Sequence, residues 1–117
     1  MTIDERASGS VMVLDLDGRM TIEALSDMLL TAKVRRLLQE GRKQILLNLE
    51  NVPYLDTTGI CNIVEAYVMT RRQEGSLKLL HLTARVRKVL AVTQLLTILD
   101  AYESETDAVA SFGSAVS

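Results

Sequence analysis

The chain has 117 residues, 48% of them hydrophobic and 24% charged, proportions that fit one ordinary globular domain and leave no room for a second large core. With 13 Lys and Arg against 15 Asp and Glu, the net charge of −2 lacks the basic excess typical of nucleic-acid binders, so no direct nucleic-acid partner is expected. A single cysteine, Cys61, excludes an internal disulfide, and with the single histidine, His81, it is too few ligands for a zinc site.

Asp4 and Glu5 stand where an export signal would carry positive charge. No apolar stretch approaches the roughly 20 residues of a membrane helix. The expectation is a reduced, cytoplasmic chain, one domain over 1–117, with no membrane insertion.

Taken in order, Ile3 fits an edge strand, with Ser8, Gly9 and Ser10 as a hairpin turn. Val11 to Asp17 is a strand whose Val11, Val13 and Asp15 share one face and Met12, Leu14 and Leu16 the other, and Gly18 breaks it. Apolar positions Ile22, Leu25, Leu29, Val34, Leu37 and Leu38 predict a helix from Thr21 to Glu40, ended by Gly41. Gln44 to Leu49 is almost continuously apolar, as in a strand covered on both faces, and must finish before Pro53.

Ile60, Ile63, Val64 and Tyr67 fall at i, i+3, i+4 and i+7, a helix face running toward Gly75, with Arg71 and Arg72 in the last turn. Leu77 to Leu82 predicts a strand. Thr83 opens a helix through Val86, Val89, Leu90 and Val92. Thr97 to Leu99 predicts a short last strand, and Asp107 to Phe112 a closing helix. The order β-β-α-β-α-β-α-β-α implies an α/β fold, a mixed sheet of four or five strands with helices packed against it.

Chemistry concentrates where a buried strand hands over to a helix, at Leu55, Asp56, Thr57, Thr58 and Gly59. Asp56 suits an N-cap, its oxygens accepting from first-turn N–H groups that lack partners. Thr57 is a poor nucleophile without a base in reach. Cys61 reads as a small core residue and His81, among leucines, as a half-buried structural one. Neither a Walker A nor a G-x-G-x-x-G phosphate loop can be written over the chain. Asp15, Asp17, Glu50 and Asp56 do not match the EF-hand spacing, so neither a metal nor a cofactor is expected.

The run Asn48 to Val52, then Pro53, Tyr54, Leu55, Asp56, Thr57, Thr58, Gly59 and Ile60, resembles the signature of the STAS domain family, specifically the bacterial anti-sigma factor antagonists. The resemblance extends to the Gly18 turn, the Gly75 to Leu82 strand and the closing segment with Ala108, Val109 and Phe112. Gln94 stands where the family often has glycine.

That resemblance implies a non-enzymatic binding protein with Thr57 as phosphoacceptor, modified by a partner that is both anti-sigma factor and protein kinase and restored by a PP2C-type phosphatase. Many members carry serine there; threonine resembles stressosome-type members. The implied footprint is Tyr54, Leu55, Asp56, Thr58, Gly59, Asn62 and Glu65 around Thr57. The resemblance also admits a scaffold subunit of a stressosome or of a lipid-transport ATPase complex, and a homodimer. An enzyme using Cys61 or Thr57 is the reading least supported by the residues.

Overall fold

A computed structural model describes residues 2–21 and 29–113. Five strands, β1 (Thr2–Ser8), β2 (Val11–Asp17), β3 (Gln44–Asn51), β4 (Ser76–Leu80) and β5 (Ala101–Tyr102), lie side by side in that order. β1 runs antiparallel to β2, and every later neighbour is parallel. The helices are α1 (Leu29–Gln39), α2 (Thr57–Arg72), α3 (Ala84–Val92) and α4 (Glu105–Gly113). This is the α/β mixed sheet expected from the alternation of patterns.

Alternation along the strands sorts side chains into two cores. Met12, Leu14 and Leu16 of β2, Ile45, Leu47 and Leu49 of β3, and Leu77 and Leu79 of β4 pack with Leu30, Val34, Leu37 and Leu38 of α1, Ile63 and Ala66 of α2, and Val86 and Leu90 of α3. The opposite face is smaller. There Val11, Val13, Leu46 and Leu80 meet Ala108 and Phe112 of α4. β3 is thus enclosed on both sides, which is why it reads as a nearly unbroken apolar run.

α4 is also held by polar contacts. Arg6 of β1 bridges Asp15 at 2.6 Å and Glu105 at 2.5 Å, Asn48 donates to Asp15 at 2.7 Å, and Lys78 donates to Ser111 at 2.9 Å with its ammonium 4.7 Å from the centre of the Phe112 ring. The guanidinium is stabilised further in its charged form by Glu105 and Asp15. The Arg6 hydrogen bond, working against burial, holds the Glu105 carboxyl below its ordinary value. Burial opposes ionisation of Asp15, but hydrogen bonds from Arg6 and Asn48 and the guanidinium's charge outweigh it and lower that carboxyl as well. On the other face Glu5 is lowered by its hydrogen bond to Arg36, against burial, with help from Lys33.

Several expectations are corrected. Thr97 to Leu99 is not a strand: Leu95–Thr97 forms a 3-10 turn, Leu99 is buried, and the last strand is the two-residue β5, placed by backbone bonds from Leu79 N–H to the Asp100 carbonyl and from His81 N–H to the Tyr102 carbonyl. Val92 is 74% exposed, not a core position of α3. Thr21 lies in a bend outside α1, while Ile22 and Leu25 fall outside the described residues. No helix among the described residues is long and apolar enough to cross a membrane.

Candidate functional site

β3 ends at Asn51 because Pro53 cannot extend the ladder. The chain then turns inward with Val52 and Leu55 buried at 0% and 2% exposure. Leu55 forms an isolated parallel bridge with Met20; Met20 N–H donates to the Tyr54 carbonyl at 3.0 Å and Asp56 N–H to the Met20 carbonyl at 3.1 Å. Gly18 N–H adds a third tie, to the Asn51 carbonyl at 3.0 Å. The loop after β2 thereby fixes the loop that launches α2.

Asp56 caps that helix. Its Oδ1 accepts from Gly59 N–H at 3.1 Å while its carbonyl accepts from Ile60 N–H at 2.9 Å, so the orphan donors of the first turn are partly satisfied by the carboxylate. Thr57, the first residue of α2, is exposed, and Thr58 is half-buried. The cap is therefore supplied by one side chain and the exposed hydroxyl by the next.

The implied footprint divides on inspection. Tyr54 (37% exposed), Thr57 and Glu65 face solvent. Leu55 and Gly59 are buried, packed where the loop meets Met20. Asn62 is half-buried: its Nδ2 donates to the Thr58 carbonyl at 2.8 Å, and its Oδ1 is shut off from solvent with no hydrogen-bond partner among the described residues. Its amide nitrogen is thus engaged within the helix itself. Cys61, expected in the core, is exposed instead, because the buried stripe of α2 is Gly59, Ile63, Ala66 and Thr70.

Two neighbours lie outside the footprint that the resemblance implies. The Arg85 guanidinium lies 5.6 Å from the centre of the Tyr54 ring, within cation–π range, and the Thr83 hydroxyl both donates to the Val52 carbonyl at 3.2 Å and accepts from Val86 N–H as the N-cap of α3. In the sequence, Arg85, Arg87 and Lys88 read as a solvated helix face or as a contact for an acidic partner, and only the fold brings Arg85 to Tyr54.

The STAS domain model matches residues 2–108. This chain belongs to the STAS domain family. A relative, the anti-sigma-B factor antagonist of Bacillus subtilis (strain 168), is 33% identical over 79 residues, covering 68% of this chain and 72% of the relative. The fold is shared with a STAS domain protein from Planctomyces limnophilus (TM-score 0.82, 16% identity, 95% of this chain and 97% of that one). It is shared as well with the Bacillus cell fate determinant SpoIIAA in its phosphorylated form (TM-score 0.70, 19% identity, 92% and 96%).

Proposed function

We propose that this STAS protein is an anti-sigma factor antagonist that binds an anti-sigma factor with protein kinase activity while Thr57 is unmodified and is released when that kinase phosphorylates Thr57. The observation that carries the reading is the division of labour at the start of α2: Asp56 takes the cap, leaving Thr57 exposed as the first helical residue after a loop stitched to Met20. A kinase brings nucleotide, metal and base, and needs from its substrate only an accessible, oriented hydroxyl.

Phosphorylation adds about −1.5 to −2 charges. The N-terminal turn of α2 accommodates an anion through its N–H groups and dipole, so the fold survives. A partner docked over Tyr54, Thr57 and Glu65 instead has to desolvate a second anion beside Asp56. A loss of about 3 kcal/mol in binding lowers affinity roughly a hundredfold, enough to release the kinase. A PP2C-type phosphatase would return the protein to its binding form.

The test is phosphopeptide mass spectrometry after incubation with ATP and an extract of the protein's own cells, followed by binding measurements with the kinase so identified. Phosphate is expected on Thr57 and absent from T57A, which keeps its affinity; T57E loses it. Undiminished phosphorylation of T57A, or T57E binding as tightly as the unmodified protein, overturns the reading.

A further inference from the structure

The far end of α2 carries a second surface. Between the carboxyl-terminal turns of α1 and α2 lies an open groove of about 320 Å³ lined by Arg35, Leu38, Gln39, Met69, Arg72 and Gln73. Leu38 and Met69 belong to or abut the main core and form an apolar floor. Val68, one helical turn before Arg72, is 37% exposed. The walls are two amides and two guanidiniums.

Among the described residues these guanidiniums have no carboxylate partner. Arg36 pairs with Glu40 one turn on, and Arg42 reaches the same carboxylate. Arg35, by contrast, has Thr31 and Gln39 at its i−4 and i+4 positions, and Arg72 has Val68 at i−4, so neither helix face supplies the carboxylate that would neutralise it. Among the described residues no acidic side chain lies within ion-pair distance of Arg35, Arg71 or Arg72. The negative ends of the two helices favour cations here, which accounts for their sign but leaves their donors open.

Arginine and methionine around an apolar floor, with Lys, Glu and Asp absent from the lining, is the composition of the centre of a protein interface and not of ordinary surface. We infer that this groove docks an acidic segment of a protein partner, one that sets an apolar side chain on Leu38 and Met69 and places carboxylates against Arg35 and Arg72. The fork of each guanidinium suits paired carboxylate oxygens. Along α2 the groove residues Met69 and Arg72 lie about 18 to 23 Å from Thr57 at 1.5 Å per residue. Occupancy is therefore independent of the phosphorylation state, and the protein can be held at this end while its other end is engaged or released.

The probe is an acetylated, amidated Glu-Glu-Leu-Glu-Glu peptide titrated into the isotope-labelled protein and followed by heteronuclear NMR. Saturable shifts confined to the amides of residues 35–39 and 68–73 are expected, weakened at least tenfold by the R35E and R72E pair and unchanged by T57E. R35K and R72K, which keep charge but lose the fork, should fall between. Absence of saturable binding, equal binding by the R35E and R72E pair when its spectrum remains that of the folded protein, or shifts centred elsewhere overturns the proposal. Capture of the protein by phosphatidylserine vesicles with no peptide binding, or concentration-dependent self-association through these residues, overturns it equally.

Discussion

Gly59 sits against Met20: a β-carbon built on Gly59 would collide with the Met20 carbonyl oxygen and stand 2.8 Å from the Met20 β-carbon and 2.9 Å from that of Leu55. The same carbonyl accepts the N–H of Asp56, so the glycine is what allows the first turn of α2 to close on the β2 loop. Gly59→Ala should cost about 2–3 kcal/mol, at the upper end of overpacking penalties because the obstructing atom is backbone. Urea unfolding measures it, and a loss below about 0.5 kcal/mol would mean the loop gives way without strain.

Much of this arrangement was legible in the sequence because it depends on local period. The two faces of Val11 to Asp17, the doubly covered Gln44 to Leu49 run, and the Asp56 and Thr83 caps all follow from side-chain spacing or capping chemistry. The Met20 and Gly59 approach was not, since it joins residues far apart in sequence through a main-chain oxygen that carries no residue signature. β1 shows the same limit. Its seven residues hold the single well-buried apolar side chain Ile3, and full pairing with β2 rather than pattern defines its length. The last strand differs because Thr97 to Leu99 is apolar enough to read as extended, whereas register with β4 starts the strand four residues later, at Ala101. Within the site, spacing singled out Asp56 and Thr57 but could not show that Leu55 and Gly59 are buried.

Gln94 occupies a left-handed conformation, φ +62°, just after α3. This is the position where helices commonly end in glycine, which lacks the β-carbon that makes the conformation costly. A left-handed non-glycine residue costs roughly 1–2 kcal/mol, part of which glycine returns through its freer unfolded chain. Gln94→Gly should therefore raise stability by about 0.5–1 kcal/mol, seen as a higher urea midpoint at unchanged slope. A lower midpoint would show that the glutamine side chain contributes more than its backbone costs.

Asp15, Glu105 and Glu5 are all held below their ordinary values by cations. A carboxyl lowered in the folded state contributes stability that is fully present above its unfolded value, near pH 4, and is lost as pH falls through the folded value. Stability should thus be level from about pH 7 to 5 with respect to these groups and decline below about pH 4. Glu105→Gln should reduce stability at neutral pH by no more than about 1 kcal/mol, given the half-exposed pair, and flatten the acid decline. Urea midpoints across pH for both proteins test this; an equally steep decline in the variant would remove Glu105 from the account.

A phosphate mimic at position 57 separates switching from unfolding. Thr57 is the first residue of α2 and the first turn carries no acidic side chain of its own beyond the cap. A carboxylate placed there meets the positive end of the helix, an interaction worth about 0.3–1 kcal/mol at low salt, set against its repulsion by Asp56. Thr57→Glu should consequently leave the thermal midpoint unchanged or slightly raised at low ionic strength, and the difference should fade as salt screens it. The loss of binding proposed for this variant should persist under conditions where the melt is that of the unmodified protein. A marked drop in the midpoint would make loss of structure, and not repulsion at the docking surface, the cause of release.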